Sequence, residues 1–96
     1  MLISFNDRVQ EVVKIYEEQV NHFATKTWQM LEKYGYVEAI SRLVISSNLQ
    51  TGFKILRDKN MLSDTFEHIV IEYKDLFLKD VVEAAKWRLD NPNNLL

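Results

Sequence analysis

"NDRVQEVVKIYEEQVNHFATKTWQMLEKYG", Asn6 to Gly35, is the stretch on which the fold turns. Val9, Val13, Tyr16, Val20, Phe23, Thr27, Met30 and Tyr34 follow one another at steps alternating between four and three, and all but Thr27 are apolar or aromatic. A period near ~3.5 is a helical stripe. Asn6 or Asp7 can cap its start, and Gly35 can take the left-handed position past its end. The spacing therefore predicts one long helix from about Asp7 to Tyr34. Its soft point is "ATKT", where Thr25 and Thr27 have low helix propensity.

A helix of about 28 residues is about 42 Å long. A compact domain of this chain length has a radius of gyration of about 12–13 Å, hence a diameter of roughly 30 Å. The stripe stays apolar over the overhang. Three outcomes are open: the helix breaks near Thr25–Thr27, the shorter helices spread to cover it, or a partner does. A second copy of the chain is the simplest partner, so a homodimer is expected. Tyr16, Phe23 and Tyr34 are too bulky for the seam of a two-stranded coiled coil and favour bundle packing.

Four shorter helices follow in the region of about 36–90. "YVEAISRLVIS" sets Val37, Ile40, Leu43 and Val44 on one face. The next opens at Ser47, with Gln50 three residues on completing a capping box. Its apolar face is Leu49, Phe53 and Leu56. Gly52, within its first turns, reads as letting this helix sit tightly against the short helix before it or the one after it. Asp64 and Glu67 form a second capping pattern ahead of Phe66, Ile69, Val70 and Tyr73. "HIVIEY" has β-branched character, but no other segment offers it a strand partner, so a helix is expected. The last helix runs from about Lys79 to Leu89 with Val82, Ala85 and Leu89 inward, and Pro92 opens a frayed tail, 91–96. The fold class is all-α: a small bundle, one long N-terminal helix with about four short helices packed against it, in one domain.

Composition bounds the function. Of 96 residues, 47% are hydrophobic and 27% charged, which is globular rather than disordered. Two glycines and one proline are too few for the turns of an all-β fold. The absence of cysteine removes disulfides, cysteine zinc sites and thiol nucleophiles, and suits a cytoplasmic setting. "MLISFNDR" lacks the basic start and apolar core of a signal peptide, and no apolar run approaches the ~18 residues of a membrane span. The net charge is −2. Residues 1–35 hold four basic and five acidic side chains and residues 36–96 eight and nine, so neither part is polarised.

Few residues point to chemistry. Glu18 and His22 share a helix face, as do Asp64, His68 and Glu72, but surface pairing and capping account for them better than a metal does. Glu17 and Glu18 point to different faces, which makes them poor paired catalytic carboxylates. There is no nucleophile elbow, Walker loop or dinucleotide fingerprint. No enzyme activity, cofactor or metal is expected. Nucleic acid has a specific candidate surface: the helix after Ser47 would present Gln50, Lys54 and Arg57, with Thr51, in the second position of a helix-turn-helix. The solvated face of an amphipathic helix accounts for the same residues. Trp28 reads as core, and Trp87, off the inward line of the last helix, as a surface contact.

Residues 35–89 resemble a helical segment of unknown function found at the ends of diverse bacterial nuclease-like and mobile-element proteins. The matching features are "GYVEAISRLVIS", "GF" at Gly52–Phe53, "ML" followed by "FEHIVIEY", "LF" at Leu76–Phe77 and "RL" at Arg88–Leu89. Leu78 stands where the resemblance would place a Ser or Thr cap. The resemblance implies a shared fold and a bacterial or phage setting, with no catalytic residue to carry over. The function expected is a non-catalytic, protein-binding regulatory module, contacting its partner through Phe23, Met30, Tyr34 and Trp87. A phage- or mobile-element-encoded inhibitor of a bacterial defence nuclease, such as an anti-CRISPR, is its sharper form. A nucleic-acid-binding accessory module using Gln50, Lys54 and Arg57 is the alternative.

Overall fold

The stripe is real, but the helix that carries it is broken in two. In the computed structural model, which describes residues 4–46 and 51–93, α1 (Phe5–Val20) ends where Asn21 enters the left-handed region at φ 52°, ψ 45°. Asparagine tolerates that conformation better than any residue around it, and so sets the end point. The Asn21 and His22 N–H groups both return to the Glu17 carbonyl. After four connecting residues, 21–24, the chain resumes as α2 (Thr25–Tyr34). The expected single helix from Asp7 to Tyr34 is therefore two helices. The break lies ahead of the threonines rather than on them.

The overhang disappears with the break. At 16 residues, α1 is about 24 Å long, and it fits within a globule of 32 × 30 × 29 Å with a radius of gyration of 12.3 Å. The packing reason for expecting a covering partner, and a homodimer above all, goes with it.

Gly35 is the whole joint between α2 and α3 (Tyr36–Ile45). Its φ of 81° and ψ of 163° lie in a region open essentially to glycine alone. There its N–H reaches the Leu31 carbonyl at 3.0 Å and its own carbonyl accepts from Ala39 N at 2.9 Å. The remaining helices are α4 (Thr51–Asp58), α5 (Phe66–Glu72) and α6 (Lys79–Asp90), with 3-10 turns at Leu62–Asp64 and Lys74–Leu76. "HIVIEY" is helical through Glu72, as its lack of a strand partner required. Among the described residues there is no strand.

Three ends differ from expectation for identifiable reasons. Ser4 caps α1, its Oγ accepting from Asp7 N at 3.2 Å, so the helix starts two residues before Asp7. Thr65, not Asp64, caps α5 by accepting from His68 N at 3.2 Å. Glu67 is thereby released from a capping box. Leu78 precedes α6 without a side-chain cap and stands exposed. The proposed capping box at Ser47 and Gln50 and the inward Leu49 lie outside the described residues, as does the tail from residue 94 onward.

The core joins Val9, Val12 and Val13 of α1 to Leu31, Ile40 and Val44, and these to Ile69, Val70, Val81 and Ala85. α2 pairs with α3, α5 with α6, α3 lies against both α5 and α6, and α1 meets α4 and α5. Phe5 closes the end of α1 by edge-on contacts with Tyr73 and Phe77, ring centroids 5.2 and 6.0 Å apart. The inward line of α6 is Val81, Ala85 and Arg88, so Val82 and Leu89 are only half-buried. Val37 turns outward on α3, and Leu43 is half-buried.

Candidate functional site

The corner at residues 21–24 is built by Glu17. Its Oε2 accepts from Ala24 N and from Trp28 Nε1, each at 2.9 Å. One carboxylate thus caps the start of α2, whose own cap residue is an alanine, and pins the indole of Trp28. His22 Nδ1 lies 2.9 Å from the Phe23 carbonyl and donates to it. On this fixed corner the Phe23 side chain is 80% exposed. An exposed benzyl group gains nothing for the fold.

The four expected contact residues divide into two pairs. Met30 and Tyr34 pack against the core instead of projecting from an overhang. Tyr34 also lies beneath two cations, Arg42 at 4.1 Å and Lys33 at 5.1 Å from its ring centre. Phe23 and Trp87 remain available, Trp87 at 51% exposure. Trp28 is half-buried against the core, as its position beside Ala24 and Leu31 suggested.

The candidate nucleic-acid residues do not form a free basic face. Gln50 lies outside the described residues. Arg57 holds Asp58 at 2.9 Å and donates to the Pro92 carbonyl at 2.8 Å, tying the C-terminal turn to α4. Lys54 is half-buried.

Asp64 and Glu72, in line with His68 on the sequence, are gathered by a cation from within the chain. Arg8 of α1 reaches Glu11 at 2.7 Å, Glu72 at 3.2 Å, Asp64 at 3.6 Å and the Ser63 carbonyl at 2.8 Å. Burial works against the Arg8 charge, but hydrogen bonds and charge from Glu72 and Glu11 outweigh it and hold its pKa above the ordinary value. His68 Nε2 lies 3.3 Å from Glu72. This cluster locks α1 to the 3-10 turn before α5 and to the end of α5.

The interior holds a feature that the capping pattern concealed. Glu67 and Arg88 form an ion pair at 2.6 Å with both side chains 6% exposed. Arg88 also donates to the Ser46 carbonyl at 3.2 Å, so one guanidinium ties α6 to α5 and to the end of α3. Burial pushes the Glu67 carboxyl up, and Arg88 and its own backbone N–H offset this only in part. The spacing after Ala85 was read as bringing Leu89 inward; Arg88 takes that place instead, and its partner lies 21 residues away.

Glu67 also lines a hollow of about 330 Å³ between α1, α2, α4 and the start of α5. Val12, Val13, Phe53 and Leu56 are the buried apolar part of its wall, Leu43 of α3 also lines it, and Lys26 and Thr51 are exposed at its rim. Gly52 faces it across from Tyr16. A Cβ on Gly52 would lie 3.5 Å from the Tyr16 ring, an ordinary van der Waals distance, and its three nearest atoms would all belong to that ring. The nearest approach is therefore to α1, not to the helices before and after α4, and it is not a tight one. Among the described residues no cluster of three or more metal-ligating side chains occurs, and no helix is long and apolar enough to cross a membrane.

No protein-family model matches the chain, and no curated protein or solved structure matches it either.

Proposed function

We propose that the chain is a non-catalytic protein-binding module whose anchor is Phe23. The supporting observation is the pairing of an 80% exposed phenylalanine with a corner held by Glu17 at two points. A large apolar group on a rigid support loses little conformational freedom on binding, which is what an energetic anchor needs. Burying it fully in a partner would contribute about 1.5–3 kcal/mol. Trp87 is a second contact of the same kind. Inhibition of a bacterial defence nuclease by a phage- or mobile-element-encoded chain is the specific form of this reading, and it rests on the resemblance of residues 35–89.

Phe23→Asp tests it. The residue touches no part of the core, so the melting temperature should stay within a few degrees of the parent. Affinity for a partner captured from the native host should fall at least about tenfold. A stable Phe23→Asp variant that binds the same partner with unchanged affinity would refute the anchor.

A further inference from the structure

The hollow between α1, α2, α4 and α5 is a surface independent of the Phe23 corner. Its walls are mainly hydrocarbon, and its size of about 330 Å³ is at the lower end of small-molecule pockets, roughly 300–1,000 Å³. At ~30 Å³ for each water-sized group, it takes a ligand of roughly ten non-hydrogen atoms.

Two polar groups inside it are buried. The Thr65 hydroxyl is satisfied, donating to the Leu62 carbonyl at 2.7 Å and accepting from His68 N. Among the described residues, the donors on Glu67 are Arg88 Nη1 and its own backbone N–H, fewer than the roughly four lone-pair positions that a carboxylate offers. The Arg88 charge balances it, so the floor of the hollow carries no net charge and yet has acceptor capacity, while the cation of Lys26 stands exposed at the rim. That combination disfavours an anion at the floor and has no use for a cation. It suits an uncharged molecule that is apolar except for one N–H or O–H.

We propose that this hollow is a binding site for a small, uncharged, mainly apolar ligand with a single hydrogen-bond donor, which Glu67 accepts. Indole and indene make the test, since they share shape and size and differ in the N–H. Each is titrated into isotopically labelled protein while amide chemical shifts are followed. Saturable shifts should centre on Val12, Val13, Phe53 and Leu56, and indole should bind about fivefold more tightly than indene. Leu43→Trp fills the hollow from α3, and Thr27→Phe fills it from α2. Whichever stays helical should lose the indole shifts. The absence of saturable shifts with both probes in the parent chain overturns the site. Equal affinity for indole and indene overturns the role of Glu67. Undiminished binding in a helical filled variant overturns the location.

Discussion

Removing the guanidinium of Arg88 while keeping its hydrocarbon bulk, as in Arg88→Met, should be among the most damaging conservative changes in the chain. The Glu67 carboxylate would lose its 2.6 Å partner in a place where both side chains are 6% exposed. Breaking one side of a buried pair costs about 3–5 kcal/mol, because the remaining charge is stranded. A small domain has about 5–15 kcal/mol in total. Glu67→Leu should do comparable harm by stranding Arg88. The double variant Glu67→Leu/Arg88→Met removes both charges and should return to within about 1–2 kcal/mol of the parent, since an apolar replacement of a buried pair is often neutral or better. Urea unfolding of all four proteins, followed by far-ultraviolet circular dichroism, gives the coupling directly.

The pH dependence supplies an independent check. Burial holds the Glu67 carboxyl above its ordinary 4.5 in the folded chain, so the folded state binds the proton more tightly than the unfolded one. Its contribution is fully present below the unfolded value and is lost as pH rises through the folded value. In Arg88→Met the carboxyl, without its counter-charge, should move further up, and the variant should recover part of its loss on acidification from about pH 7 to about pH 5. A variant within about 0.5 kcal/mol of the parent at both pH values would show that the pair does not hold α6 to α5.

The two glycines should respond in opposite directions. Gly35→Ala places a side chain at φ 81° and should cost about 1–3 kcal/mol, whereas Gly52→Ala meets the Tyr16 ring first, at 3.5 Å, and should be neutral or up to ~1 kcal/mol stabilising; thermal unfolding of the pair decides it. Glu17→Ala strips Ala24 N and Trp28 Nε1 of their acceptor and should cost about 2–3 kcal/mol, with a shift in Trp28 fluorescence. Glu17→Gln, which retains an acceptor, should recover part of both.

Much of the fold was legible because helices repeat. The stripe through Val9 and Val13, the faces at Phe53/Leu56 and Ile69/Val70, the inward Ala85 and the terminator Gly35 all follow from period and glycine chemistry alone. A break was among the outcomes that length and the threonines left open, but its place was not legible, for the same reason: the alternation of four and three passes through Phe23 without a change of phase, so periodicity cannot mark a bend there. Asn21 was the available signal, a residue that accepts a left-handed turn, but it carries no such meaning without Glu17 beside it. Asp64-x-x-Glu67 matched a capping pattern, and Thr65, one residue on, took the cap instead. What distinguishes the two is the burial of Glu67 opposite Arg88, a contact between distant residues. Trp87 was separable from the core by its place off the inward line of the last helix, whereas Phe23, Met30 and Tyr34 were all assigned outward from the overhang of a straight helix, and of these three only Phe23 is exposed.

The bend at Asn21 leaves the chain with two ways to satisfy one pattern. Since α1 and α2 carry a single uninterrupted stripe, straightening residues 21–24 would put the two segments in register as one continuous rod. Everything after the corner would then be carried away from α1 and available for exchange with another molecule, the geometry of a hinge in domain swapping. Neither proline nor glycine enforces the bend. The choice between closed and exchanged forms therefore falls to a carboxylate, one left-handed asparagine and the contacts that α1 makes with α4 and α5.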